Sequence, residues 1–241
     1  DKIIALTNGE KNESLQFGVG KESQWEVIPS GIDYRLQVTD YKLKKLKEEL
    51  NIKDDEIIIG TVARLEPIKG VKYFLEAIKN VVDNYNFLVT KCKFLIVGDG
   101  EERESMELFV KENNLKERII FTGMREDVLE LISIMDIYVQ PSLNEGMGKT
   151  IVMASMLGKP VVATKVQGIP DVVKDDVSGL LVNAKNSQLI ADAIIKLVTD
   201  RSLRERLGLE GKKWVNKIID GYPQFSIEYM LYKLEKLYAK I

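Results

Sequence analysis

The chain has 241 residues, of which 45% are hydrophobic and 30% are charged, so it is long enough to bury an ordinary globular core. Its formal net charge of −2 excludes a global positive field of the kind that holds nucleic acid or an anionic membrane surface. The absence of histidine excludes Ser-His-Asp and Cys-His nucleophilic sites and disfavours a transition-metal site. Any chemistry must therefore use carboxylates, lysines, arginines and backbone groups.

The distribution of cysteine and apolar residues predicts where the protein works. Its single cysteine, Cys92, excludes an internal disulfide and is typical of a reducing compartment. The N-terminus lacks the apolar stretch of a signal peptide, and no run approaches the ~20 apolar residues of a membrane helix. We therefore expect a cytoplasmic protein with no integral membrane segment.

Taken in chain order, residues 1–35 predict a strand at Ile3–Leu6, a short helix and a second strand at Trp25–Ile28. The turn residues P-S-G-I-D at 29–33 then predict a linker. Four lysines follow, interleaved with apolar residues and succeeded by glutamates, which is typical of a solvated helix face: Lys42, Lys44, Lys45 and Lys47.

The middle of the chain alternates short β-branched runs with amphipathic segments. The predicted strands are Ile57–Ala63, Lys93–Val97, Ile119–Thr122, Ile137–Gln140, Pro160–Thr164 and Gly179–Val182. The predicted helices are Lys69–Tyr85, Glu101–Asn113, Arg125–Met135, Gly148–Leu157 and Ser187–Asp200. Alternation of this kind, with strands that are apolar on both faces, predicts an α/β fold with a Rossmann-like, doubly wound parallel sheet.

The end of the chain predicts two further helices. One runs from about Leu203 to Ile219, and the break at Gly221-Tyr222-Pro223 separates it from a helix rich in tyrosine and leucine. The apolar residues of the last helix predict a packing stripe formed by Tyr229, Leu231, Leu234 and Leu237.

The loop Pro141–Thr150 is the strongest functional signal, because it connects a buried strand to a helix N-terminus. The first turn of a helix has unpaired N–H groups and partial positive charge, which favour an anion. Gly146 and Gly148 let backbone approach a ligand, and Glu145 adds a carboxylate that suits hydroxyl groups. A ligand that carries a phosphate next to several hydroxyl groups, such as a sugar nucleotide, would fit this loop.

Three other strand ends should share the same crevice, because ligands of such sheets gather beyond the carboxyl ends of the strands. Arg64 and Lys69 follow the first core strand and suit a diphosphate, or else lie in solvent. Gly98 belongs to a G-D-G turn whose third fingerprint glycine is replaced by Arg103, so a tight turn explains it equally well. Gly123 would let the backbone of the next two residues meet a flat ring, or simply form a turn; those residues are Met124 and Arg125.

The same loop also has the ending of a P-loop, G-K-T at 148–150. The first glycine of that pattern should fall at position 143, where the chain has Leu143. Pro141 and Glu145 also stand where a phosphate cradle needs compact, uncharged backbone. A P-loop NTPase therefore remains a lesser alternative.

Together these loops resemble the donor-binding half of the retaining glycosyltransferases of family 4, which have the GT-B architecture. The resemblance covers about residues 1–200 and rests on V-I-P-S-G-I-D (27–33), V-A-R-L-E-P-I-K-G (62–70), F-L-I-V-G-D-G (94–100), F-T-G-M-R-E-D-V (121–128), P-S-L-N-E-G-M-G (141–148) and G-K-P-V-V-A-T-K-V-Q-G-I-P-D (158–171). It implies that Arg64 and Lys69 bind the nucleotide diphosphate, and that Glu145 contacts the transferred sugar. The remaining implied binding residues are Gly98, Gly123, Met124, Arg125, Gly146, Met147, Gly148, Lys149, Thr150 and Met153.

The chain departs from that family in two ways. The second family glutamate, which normally binds the ribose hydroxyls, is replaced by Met153, whose thioether is only a weak acceptor. The family also has an N-terminal acceptor domain, of which residues 1–35 resemble only the last piece and linker. We therefore predict a nucleotide-sugar domain at 36–220 and a C-terminal helical segment at 221–241 that crosses back toward the missing domain.

The resemblance implies a retaining, metal-independent glycosyltransferase with Glu145, Arg64 and Lys69 as its catalytic residues. It would use a UDP-, GDP- or ADP-sugar, no cofactor, and a glycan or lipid acceptor, with any membrane contact made through the missing domain. The chain alone is expected to bind nucleotide but to transfer little or no sugar. A non-catalytic nucleotide-sugar-binding module is the alternative that Met153 favours.

Overall fold

The computed structural model describes residues 1–35 and 38–239. The strands are β1 (Ile3–Ala5), β2 (Trp25–Val27), β3 (Ile57–Val62), β4 (Cys92–Val97), β5 (Ile119–Gly123), β6 (Ile137–Gln140), β7 (Val161–Thr164), β8 (Leu180–Val182), β9 (Ile218–Ile219) and β10 (Tyr222–Pro223). The helices are α1 (Asn8–Gln16), α2 (Asp40–Glu49), α3 (Val71–Tyr85), α4 (Arg103–Glu112), α5 (Val128–Ile134), α6 (Lys149–Met156), α7 (Ile169–Val172), α8 (Ser187–Thr199), α9 (Arg201–Val215) and α10 (Ile227–Tyr238). The predicted domain boundary lies between residues 35 and 36, and residue 36 lies outside the described residues. The last two residues of the predicted segment 221–241 also lie outside them.

The six strands β3 to β8 form one parallel sheet in the order β5-β4-β3-β6-β7-β8. The chain builds outward from β3 through β4 and β5, then returns to the other side of β3 for β6, β7 and β8. The strand order therefore reverses between β3 and β6, and crevices for ligands open at such switch points in doubly wound sheets. The α/β, doubly wound prediction is confirmed.

Both faces of the sheet are covered, because successive strand residues point to opposite sides. Ile59 faces a cluster that contains Phe74 of α3 and Ile194 of α8. Its neighbour Ile58 faces a second cluster, which contains residues of α2, α5, α6 and α9. Two-sided burial explains why these strands read as continuous apolar runs.

The N-terminal and C-terminal parts of the chain contact each other. β1 and β2 form a separate two-stranded parallel sheet, with α1 between them in sequence. The linker that follows is held by α10 and the segment before it, because Ile32 N–H donates to Phe225 O at 2.9 Å and Ile227 N–H donates to Ile32 O at 3.2 Å. Tyr34 fixes the same linker to α9 by donating to Val215 O at 2.7 Å.

Two sequence predictions near the C-terminus are wrong. The helix expected to reach Ile219 ends at Val215, because the β-branched pair Ile218–Ile219 forms an antiparallel hairpin with Tyr222–Pro223. The connecting Asp220 and Gly221 both have positive φ, at 53° and 88°, as two-residue hairpin turns require. In α10, Tyr229 and Leu237 are buried, but Leu231 is 49% exposed and does not belong to the packing stripe.

Candidate functional site

The loops that follow β3 and β6 meet at the switch point and are joined through their backbones. Leu143 N–H donates to Ile68 O at 2.8 Å. Gly70 has a φ of 61°, and a Cβ at this position would lie 2.2 Å from Pro141 O. Since real Cβ atoms cannot approach a carbonyl so closely, only glycine allows the two loops to pass each other here.

Helix α6 begins directly at the edge of this junction. Gly148 is its N-cap with a φ of 78° and offers no side chain to accept from the first-turn amides. Ile151 N–H donates to Gly148 O at 3.0 Å, whereas no hydrogen bond among the described residues engages the amides of Lys149 and Thr150. These two amides stay available for an external acceptor, and the helix dipole adds positive charge. A helix thus starts at the predicted place, and its binding of an anion stays a prediction.

Lys69 and Glu145 face each other across the switch point. Lys69 Nζ lies 2.8 Å from Glu145 Oε2, and the two side chains are only 21% and 17% exposed. Each loop contributes one member of the pair, at positions 76 apart in sequence. The pair places a mobile cation and a carboxylate next to the start of α6, where a phosphate and hydroxyl groups could each find a partner.

A cavity of about 350 Å³ opens at this point, within the size range of small-molecule sites. It brings together predicted site residues and their immediate neighbours on the two loops and α6. Its lining consists of Leu6, Val62, Ala63, Lys69, Gln140, Glu145, Gly146, Met147, Gly148, Lys149 and Thr150.

Several predicted site residues are not part of that lining. Arg64 is exposed, and its Nη1 lies 2.7 Å from Glu66 Oε1. Gly98 has a purely structural reason to be glycine, because a Cβ there would lie 1.9 Å from Ala63 O. Its N–H donates to Gly123 O at 2.9 Å, which ties the strand ends of β4 and β5 together.

Arg125 is engaged by carboxylates rather than free for a base. Its Nη2 lies 2.7 Å from Asp127 Oδ2, and its Nη1 lies 2.5 Å from Glu49 Oε1 of α2. The guanidinium hydrogen bond lowers the pKa of Asp127, so both members stay charged over the neutral range. The adjacent Met124 is 80% exposed and thus accessible to a ligand. That the backbone of these two residues meets a flat ring of the ligand stays a prediction.

Met153 is half-buried on α6 and packs against the apolar cluster on one face of the sheet. A thioether accepts hydrogen bonds only weakly. The position therefore contributes packing and cannot replace a carboxylate that accepts from hydroxyl groups.

The N-terminal segment also contributes to the site, which its sequence did not predict. Thr7 Oγ1 donates to Gly146 O at 2.7 Å, and Leu6 lines the cavity. Gly168 lies beneath this contact, where a Cβ would be 1.8 Å from Gly146 O and 2.3 Å from Thr7 Oγ1. The only sequence signal was a threonine directly after an apolar strand, which is typical of an N-cap.

Gln140 is the other missed residue, and it also lines the cavity. It ends the otherwise apolar strand I-Y-V-Q, and it is 2% exposed. A buried amide at the carboxyl end of a strand could have signalled a site, because buried polar groups need partners.

Within residues 1–35 and 38–239, no three acidic or cysteine side chains are grouped closely enough to hold a metal ion. Nor does any helix in these ranges combine the length and apolar character that crossing a bilayer requires.

Comparisons with known proteins relate this chain to a family. The profile described as glycosyl transferases group 1 matches residues 43–214. The UDP-Gal:alpha-D-GlcNAc-diphosphoundecaprenol alpha-1,3-galactosyltransferase of Escherichia coli is 29% identical over 98% of the chain and 59% of its own length. The N-acetyl-alpha-D-glucosaminyl L-malate synthase of Bacillus anthracis is 28% identical over 100% of the chain and 60% of its own length.

A solved structure has the same fold. The Anabaena protein HepE, crystallised in complex with UDP and glucose, superposes with a TM-score of 0.87 at 23% identity. The match covers 100% of this chain and 63% of HepE. The chain thus spans about 60% of the length of the curated relatives it matches.

Proposed function

Because the chain belongs to the glycosyl transferases group 1 family, with residues 43–214 matching its profile, we propose that it is the donor-binding part of a glycosyltransferase that uses a nucleotide-activated sugar. The observation that carries this proposal is the position of the Lys69–Glu145 pair at the uncapped start of α6. The diphosphate of such a donor would contact the Lys69 cation and the amides at the start of α6. The sugar linked to it would contact the neighbouring Glu145 carboxylate.

In the proposed reaction, the bond between the anomeric carbon and the diphosphate oxygen breaks, and the acceptor hydroxyl oxygen bonds to the same carbon. The proton of that hydroxyl passes to the released diphosphate oxygen. Negative charge then develops on the leaving diphosphate. Lys69, the exposed Arg64 and the amides at the start of α6 would stabilise this charge, so we propose that the reaction needs no metal ion. Glu145 would accept hydrogen bonds from the sugar hydroxyls once Lys69 turns to the phosphates.

The donor proposed here is a UDP-sugar, with GDP- and ADP-sugars as alternatives. UDP and glucose in HepE, together with the UDP-Gal named for the Escherichia coli relative, support this choice. Retention of the anomeric configuration rests on the resemblance to family 4.

The acceptor, a glycan or a lipid, would be bound by a further domain. Residues 1–35 and the segment 221–241 would either be part of that domain or connect to it. For this reason we expect the chain alone to transfer little or no sugar.

The proposal is tested by titrating UDP, GDP and ADP into the chain while following its thermal unfolding. A nucleotide at 100 times its Kd should stabilise the folded state by about 2.7 kcal/mol. Lys69→Ala should weaken nucleotide binding because it removes the cation that faces the diphosphate. The control is Lys79→Ala, which removes an exposed lysine that pairs with Asp83 on α3.

Failure of all three nucleotides to raise the unfolding temperature would refute the proposed site. Glu145→Ala should leave UDP binding nearly intact, since its carboxylate is assigned to the sugar. Equal losses of nucleotide binding in Lys69→Ala and Lys79→Ala would refute the role of Lys69.

Met153 favours a second candidate, a non-catalytic module that binds nucleotide-sugars. This candidate predicts that the chain joined to an acceptor domain gives no transfer with any donor. The P-loop alternative is not retained, since the chain belongs to a glycosyltransferase family. Magnesium-dependent ATP hydrolysis that is abolished by Lys149→Ala would restore it.

A further inference from the structure

A chain of buried polar side chains runs from the interior of the sheet to the proposed donor site. Strand β6 is buried at all four of its positions, yet two of them carry polar groups, Tyr138 and Gln140. Burying an uncharged polar group costs free energy unless hydrogen bonds compensate, so apolar residues are the usual choice in such a strand. The retention of polar groups here calls for a role beyond packing.

Gln140 is the centre of this chain of hydrogen bonds. Its Oε1 accepts from the hydroxyl of Tyr138 at 2.7 Å and from Thr150 Oγ1 at 3.2 Å. Its Nε2 donates to Ser142 Oγ at 2.8 Å. An amide carries its acceptor oxygen and its donor nitrogen on separate atoms, so it can accept from two hydroxyls and donate to a third, as Gln140 does here.

Two of these contacts lead directly to the cavity. Ser142 Oγ accepts from Gln140, so its single proton is directed toward Glu145 Oε2, 3.4 Å away. Thr150 lies in the first turn of α6 and lines the cavity itself. Ser142 is fully buried, and its carbonyl accepts from Thr164 Oγ1, so this part of the loop is fixed at both its side chain and its backbone.

We propose that Gln140 is a positioning residue that orients Glu145 through Ser142 and holds Thr150 at the start of α6. The inference rests on the proposed function, because it assigns Glu145 to the sugar part of the donor. Without Gln140, the Ser142 hydroxyl loses the hydrogen bond that fixes it, so its contact with the Glu145 carboxylate is no longer oriented. Lys69 is then the remaining oriented side-chain partner of Glu145 in the described residues. The sugar would then be recognised less well than the nucleotide that carries it.

The test compares the affinities for UDP and for a UDP-sugar, measured by titration calorimetry on the chain with UDP-glucose, UDP-galactose and UDP-N-acetylglucosamine. Gln140→Met keeps the length of the side chain and removes its hydrogen bonds. It should weaken binding of the tightest UDP-sugar about 3- to 10-fold more than binding of UDP, as expected for a neutral hydrogen bond. Ser142→Ala should have the same selective effect, and the double variant should be no worse than the more severe single variant.

The matched control is Thr61→Val on the neighbouring strand β3. Thr61 is also fully buried, and its hydroxyl has no hydrogen-bond partner among the described residues, so the change should leave the ratio of the two affinities within about twofold. Urea unfolding identifies any variant that fails to fold. Equal loss for UDP and UDP-sugar, or additive effects of Gln140→Met and Ser142→Ala, would mean a merely structural role and overturn the inference alone. Absence of any binding by the unmodified chain would overturn the proposed function and this inference with it.

Discussion

Gly70 shows how one backbone conformation sets the distance between the two loops of the site. Its φ of 61° and the 2.2 Å that would separate a Cβ from Pro141 O mean that any side chain must push the loops apart. We expect Gly70→Ala to cost more than about 3 kcal/mol, since the clash involves backbone that cannot rotate away. The free energy of unfolding in urea measures this cost.

Gly18→Ala is the matched control. Gly18 has a φ of 77°, and a Cβ added there would meet no other atom of the described residues within 4 Å. The change should cost only the left-handed backbone term of about 1–2 kcal/mol. Similar losses in the two variants would contradict the close approach of the loops.

The thiol of Cys92 provides a prediction about pH. Burial raises the pKa of Cys92 to about 11 from its ordinary value of 9.0. Below pH 9 the thiol is protonated in both the folded and the unfolded state, so its contribution to stability is complete there. Between pH 9 and 11 the unfolded state ionises first, and this contribution is progressively lost. The stability advantage of the wild type over Cys92→Ala should therefore shrink as the pH rises from 9 to 11 in urea titrations.

Alkylation gives an independent check of the same residue. Iodoacetamide at about pH 8 should leave the folded chain unmodified and label one site after unfolding. Rapid labelling of the folded chain would contradict the burial of Cys92.

Site residues could be predicted from sequence where their position after a predicted strand determines their location, but their long-range partners could not. Lys69 and Glu145 follow predicted strands, and parallel strands bring such positions to one edge. The pairing of Arg125 with Glu49 was not predictable, because Glu49 lies on a helix 76 positions away. The Thr7 contact with Gly146 spans 139 positions and has no local signature.

At the scale of elements, α1 is fixed to the site by its N-cap. Thr7 Oγ1 accepts from Glu10 N–H at 3.2 Å and donates to Gly146 O at 2.7 Å. Thr7→Val keeps the shape of the side chain but removes both bonds and leaves Gly146 O without this donor. We expect a loss of about 1–3 kcal/mol in the free energy of unfolding, followed through the fluorescence of Trp25 in β2 and of Trp214.

Thr39→Val is a control of the same chemistry. Thr39 is the N-cap of α2, but its side chain makes no capping hydrogen bond, and it is exposed. This change should alter stability by no more than about 0.5 kcal/mol. A loss at position 39 as large as that at position 7 would contradict the assigned bonds.

Elements with a long apolar pattern were predicted well, and the exceptions have physical causes. Helix α3 buries Val71, Phe74, Leu75, Ile78 and Val81, a helical spacing that is visible in sequence. The β9–β10 hairpin was missed because two-residue strands have no periodicity, although Asp-Gly between β-branched and aromatic residues was a usable turn signal. Leu231 was misassigned because burial of α10 depends on neighbours that its own sequence does not specify.

At the scale of the whole molecule, the alternation of strands and helices predicted a parallel sheet but not its strand order. The order β5-β4-β3-β6-β7-β8 places β6 beside β3 rather than beside β5. Only this order makes the loop at 63–70 and the loop at 141–148 neighbours. The sequence predicted that both loops lie at the carboxyl edge of the sheet. The structure shows that these two loops enclose the cavity.

The Lys69–Glu145 pair also bears on when the site can form during folding. Its two members are 76 positions apart, and the pairing of β6 with β3 brings their loops together. Contacts of high sequence separation carry a large loop-closure cost and are acquired late. On a chain that emerges from the ribosome, the helices and the β3–β4 pairing can form earlier. The chain can therefore bind a ligand between the loops after β3 and β6 only after the ribosome has synthesised α6.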